Sequence, residues 1–129
     1  MKNTKLTIKI NKPAKAIFDF TLDPKNTPKW IDAIREEETN EWPTKLGTIY
    51  RNRGTSLQWS EFEVTEIKEP TSFTLRRKDG EYSVRYVFTP ITPDETELEY
   101  YEWTNQGELA EPFTLGPLKK LKEVIENRV

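Results

Sequence analysis

The stretch FTLRRKDGEYSVRYVF, residues 73–88, decides the fold. Its centre, Asp79-Gly80, separates two runs in which apolar and polar residues alternate, the pattern of two half-buried strands joined by a tight turn. Asp-Gly predicts a two-residue type I′ turn, with glycine taking the positive φ that other residues resist. Such a turn sets a register: Lys78 faces Glu81, Arg77 faces Tyr82, Leu75 faces Val84 and Phe73 faces Tyr86. The apolar pairs then share one face. Thr74 with Arg85 and Arg76 with Ser83 share the other, as a solvated outer surface requires.

Working outward, the Pro93-Asp94 turn leads into Thr96, Leu98, Tyr100 and Glu102, which continue the inner face if Phe88 pairs with Leu98. Upstream, Leu57 and Trp59 are odd-numbered while Phe62 and Val64 are even-numbered, so a strand over 56–68 must switch faces through a bulge near Ser60-Glu61. Residues 48–53 read as a further strand between Gly47 and Gly54, and residues 35–41 as a weak, exposed one. At the start, Leu6, Ile8 and Ile10 alternate as a first strand. Pro13 then opens a short helix with Ala14, Ile17, Phe18 and Leu22 on one side. Asp23-Pro24 opens a second short helix carrying Trp30, Ile31 and Ile34, interrupted by Pro28. Gly116-Pro117 starts a last helix over 117–128 whose stripe is Leu118, Leu121, Val124 and Ile125.

These elements account for all 129 residues as one α+β domain, with no repeat and no linker. Charged residues make up 33% and hydrophobic ones 34%, so the core must draw on the aromatics, Phe 6, Tyr 5 and Trp 4. Twenty-two acids against twenty bases leave a net charge of −2, which gives a nucleic-acid partner no electrostatic footprint. With no His and no Cys, neither a Ser-His-Asp nor a Cys-His nucleophile can be built, and the usual nitrogen and sulfur metal ligands are missing. The expectation is no metal and no redox cofactor. No run is apolar enough for a signal peptide or a membrane span, which makes the cytoplasm the expected location.

The order strand, two short helices, six antiparallel strands and C-terminal helix resembles the helix-grip fold of the SRPBCC superfamily, which includes START domains, pollen-allergen-like proteins and polyketide cyclase/dehydrase-like proteins. The resemblance is carried by INKPAKAIFDFTLDPKNTPKWIDAI (residues 10–34), by Gly47 and by FEVTEIKEPTSFTL (residues 62–75). It implies a curved seven-stranded antiparallel sheet with the last helix packed across its concave face, around a cavity for a small apolar or amphipathic molecule. Some members of the superfamily catalyse cyclisation or dehydration, many only bind and carry, and others activate chaperone ATPases. Family members usually have a longer C-terminal helix than the one read here. The pocket is therefore smaller, more open, or roofed by residues 107–115.

Candidate ligand-binding residues are the aromatics Trp30, Trp59, Tyr86, Phe88 and Tyr100, the apolar Leu75, Leu118 and Leu121, and two charges that parity turns inward, Arg77 and Glu102. Rings in a chain so poor in aliphatics also serve simply as core. An inward charge needs a partner. Arg77 or Glu102 can anchor a polar head group, and Glu102 is the candidate general acid/base; an enzyme of the cyclase/dehydratase type would use Glu102, Tyr86 or Tyr100. On the outer face Tyr101 and Trp103 lie beside Arg85, which is expected to stack on Tyr101, and they form a candidate homodimer patch.

Overall fold

The computed structural model describes residues 2–127. Strand β1 (Asn3–Ile10) leads into helix α1 (Ala14–Leu22) and a 3-10 turn (Thr27–Lys29). Six strands follow: β2 (Glu36–Thr39), β3 (Ile49–Arg53), β4 (Ser60–Lys68), β5 (Ser72–Arg77), β6 (Tyr82–Thr92) and β7 (Glu95–Thr104). Helix α2 (Leu115–Glu126) closes the chain. The strands form one antiparallel sheet in the order β1-β7-β6-β5-β4-β3-β2, a meander whose two edges are joined by the crossover through α1. This is the helix-grip architecture.

The register expected from residues 73–88 holds: Phe73 pairs with Tyr86, Leu75 with Val84 and Arg76 with Ser83. The turn itself differs. Only Gly80 has positive φ (79°), while a type I′ turn needs it at Asp79 as well. The Asp79 carboxylate accepts the Glu81 N–H (2.9 Å) and the Arg77 Nε–H (2.8 Å), and Gly80 donates to the Arg77 carbonyl (2.8 Å). The side chain thus closes a local ring that keeps Asp79 out of the left-handed region, and the ladder ends at Arg76 and Ser83. On β7, Phe88 pairs with Leu98 and Val84 with Glu102, as parity required.

Four expectations are corrected. The strand after Gly54 begins at Ser60 instead of residue 56, because Leu57, 83% exposed, lies in a loop and carries no pleat information. The face switch falls at Thr65, where the register shifts between Val64 and Glu66, and not at Ser60-Glu61. The second short helix shrinks to the single turn Thr27–Lys29 around Pro28. The last helix starts at Leu115, and the expected end at Arg128 lies outside the described residues.

The core lies between the inner face of the sheet and the two helices. Phe18 of α1 meets Phe73 and Phe88 edge to face at 5.7 and 5.6 Å, and Leu118, Leu121 and Ile125 of α2 are buried. Where β3 ends, a Cβ on Gly54 would stand 2.6 Å from the Ala33 carbonyl oxygen, so only glycine lets the segment after Trp30 lie this close to the sheet.

Candidate functional site

The concave face holds a cavity of about 210 Å³. Its walls come from β5 to β7 (Phe73, Leu75, Tyr82, Val84, Tyr86, Tyr100), from Phe62 of β4, and from Tyr50 and Asn52 of β3. Ile31, Ala33 and Ile34 close one side. Ala33 is exposed and marks the mouth. Phe113, from the segment before α2, stacks on Tyr100 at 4.1 Å and roofs the space.

Sequence reasoning missed the acid in this cavity. Strand β2 carries three consecutive glutamates. Glu36 pairs with Arg53 (2.5 Å) and Glu38 with Arg51 on the outer face, while Glu37 turns inward opposite Asn52. Its Oε1 accepts from the Thr27 hydroxyl (2.6 Å) and its Oε2 from the Asn52 amide (3.1 Å). Among the described residues it has no ion-pair partner. Burial pushes its carboxyl above the usual range, and the two hydrogen bonds only partly counter this. The signal was available: Tyr50 faces inward, so its partner Thr39, and therefore Glu37, must do the same.

A raised pKa means that the folded state holds the Glu37 proton more tightly than the unfolded chain does. The associated stabilisation is complete below the unfolded value of about 4.3 and fades as pH rises through the folded value. Glu37→Gln, with Asn52 flipped to accept from the new amide, is therefore expected to melt higher than the parent at neutral pH, the gap closing near pH 4. Melting curves from pH 4 to 8 test this. A gap independent of pH sinks it.

Glu102 is 2% exposed and does not line the cavity. Its Oε1 accepts from Tyr82 (2.6 Å) and Tyr100 (3.3 Å), and its Oε2 accepts the backbone N–H of Phe113 (2.7 Å). It therefore holds the roof. The phenols beside it are donors: burial first, then the neighbouring carboxylates, raise the pKa of Tyr86, and burial likewise raises those of Tyr82 and Tyr100. Tyr86 is 6% exposed and lines the cavity, and its hydroxyl has no hydrogen-bond partner among the described residues.

Of the expected ligand residues, Leu75, Tyr86 and Tyr100 come together at this cavity. Trp30, Phe88, Leu118 and Leu121 are buried behind it as core. Trp30 meets Tyr86 and Phe113 edge to face, and its indole N–H lacks a partner among the described residues. Arg77 is half-exposed at the strand end, paired with Asp79 and lying over Tyr82. Trp59 is on the outer face, 4.4 and 5.1 Å beneath the guanidinium groups of Arg51 and Arg53. That placement corrects its assignment to the cavity. Arg85 lies over Trp103 instead of Tyr101, and Lys5 covers Tyr101.

A sheet of this order, its last helix across the concave face and an aromatic cavity between them agree with a family model described as polyketide cyclase/dehydrase and lipid transport, which matches residues 1–127. The chain belongs to this family. No curated protein matches it. Among solved structures, the Aha1 dimer from Colwellia psychrerythraea superposes with a TM-score of 0.73 at 15% identity, over 98% of both chains. Norcoclaurine synthase from Thalictrum flavum, in complex with dopamine and hydroxybenzaldehyde, gives 0.69 at 16% identity over 99% of this chain and 88% of that one. The di-domain ARO/CYC protein BexL of the BE-7585A biosynthetic pathway gives 0.73 at 13%, over 99% of this chain and 48% of that one. At these identities the likeness concerns the fold. No helix among the described residues is long and apolar enough to cross a membrane.

Proposed function

We propose that this polyketide cyclase/dehydrase-family protein binds a small hydrophobic or amphipathic molecule in the cavity between the sheet and the C-terminal segment. The observation that carries the reading is the 210 Å³ of space that the chain's own rings leave unfilled. Protein interiors otherwise pack at the density of organic crystals, with few voids larger than a water. A cavity of about 150 Å³ lined by apolar side chains takes up benzene, so this one suits a one- or two-ring compound. The norcoclaurine synthase complex, with two small aromatic molecules on the same fold, supports that size.

Binding is favoured over acid-base catalysis by Glu102, because both of its oxygens are taken by Tyr82, Tyr100 and Phe113. An interaction module of the chaperone-activator kind needs no open interior, whereas this protein keeps one. The outer rings Tyr101 and Trp103 are covered by Lys5 and Arg85, which supports surface packing over a homodimer patch.

Native mass spectrometry of freshly purified protein, with 2-naphthalenemethanol added to a second sample, tests the reading. A one-to-one adduct, and a melting temperature raised by the probe, are expected. Bare polypeptide in both samples with no thermal shift overturns it.

A further inference from the structure

The rings of the cavity surround a charge pattern that is one-sided. Among the described residues Glu37 is the sole ionisable carboxylate in its wall, and no Lys or Arg lines it. Arg51 and Arg53 of the adjoining strand are spent on Glu38 and Glu36 across the outer face, and Arg35, two residues before Glu37, is exposed and lies outside the cavity wall. Burying an acid without a cation is unfavourable. Thr27 and Asn52 occupy one site on each Glu37 oxygen, and a carboxylate offers about four, so acceptor capacity remains. Tyr50, Tyr82, Tyr86 and Phe62 add aromatic faces, whose quadrupoles attract cations and repel anions.

Resting on the binding function above, we propose that the ligand is a small aromatic ammonium compound, its N–H groups donated to Glu37 and its ring held among the cavity tyrosines, and that carboxylates are rejected. Among the described residues Tyr86 then has the one hydroxyl in the wall without a partner, placed to bond a ring substituent of the guest. A carboxylate guest would set two anions together in a low-dielectric space with no positive side chain to separate them. A fatty acid or an acidic polyketide is therefore a poor match, although the family description includes lipid transport.

Calorimetric titration of the full chain at pH 7 with three probes of one shape separates the possibilities: 2-naphthylmethylamine, 2-naphthalenemethanol and 2-naphthoate. The amine is expected to bind at least about tenfold more tightly than the carboxylate, with the alcohol between them. Glu37→Gln is expected to weaken the amine by more than it weakens the alcohol, closing the gap between the two. The parent's amine-to-carboxylate ratio tests the proposal without any variant. A carboxylate that binds as tightly as the amine overturns the ligand class but leaves the cavity reading intact, as does an amine indifferent to Glu37→Gln. Failure of all three probes overturns both.

Discussion

Glu102→Leu is expected to lower the melting temperature by roughly 10–20 °C, the largest loss for any single polar side chain in this fold. Glu102 is buried and serves three donors, two phenols and one backbone amide. Leucine fills similar space but leaves all three facing hydrocarbon, and each stranded donor costs about 1–3 kcal/mol. Relaxation of Tyr82, partly exposed, recovers some of this, for a net of about 3–5 kcal/mol. That is a large part of the roughly 5–15 kcal/mol a domain has. Glu102→Gln separates the contributions. Its carbonyl can still serve Tyr82, but its NH₂ group would point at the Phe113 N–H, donor against donor. The expected result is a smaller thermal loss with faster hydrogen exchange at the Phe113 amide. Unchanged protection of that amide in Glu102→Gln would show that the roof is held by the stacking of Phe113 on Tyr100 instead.

The reach of sequence reasoning follows the distance over which information must travel. Between Phe73 and Tyr86 the pairing is local: one turn fixes it, and the alternation of Leu75, Val84 and Tyr86 with charged neighbours shows which face is buried. The same parity carried to β7 brought Tyr100 and Glu102 inward correctly. It turned Arg77 inward as well, but that residue lies one step beyond the last ladder pair of β5 and β6, where its side chain is free to turn to Asp79. Glu37 was hidden for a different reason. Three identical residues have no alternation, and their faces are assigned only by pairing with β3, across a long connection that contains Trp42 and Gly47. Trp59 misled because it was treated as part of a pleat, whereas it sits just before β4 and is free to turn outward to two arginines. The bulge was misplaced by the same step, since Leu57 and Trp59 supplied the parity from which it was inferred.

Leu75→Trp is expected to abolish binding of 2-naphthalenemethanol, by at least about a hundredfold, while leaving the fold intact. Leu75 and Val84 face one another across β5 and β6, and both border the cavity. An indole at position 75 extends into space that is empty in the free protein. Enlarging a side chain in a packed core costs about 1–3 kcal/mol, but here the added atoms gain contacts with Phe62 and Tyr82 where the leucine left a void. The melting temperature should hold or rise even as the guest is excluded. A variant destabilised by misfit would also lose binding, so the two readouts must be taken together: lost affinity with retained stability identifies occupancy of the site. Trp59→Ala is the matched control, because it removes a ring of the kind a ligand would stack on, from the outer face beneath Arg51 and Arg53. It should leave affinity unchanged. If Leu75→Trp bound the probe like the parent while Trp59→Ala did not, the binding surface would lie on the convex side of the sheet and the cavity would be structural.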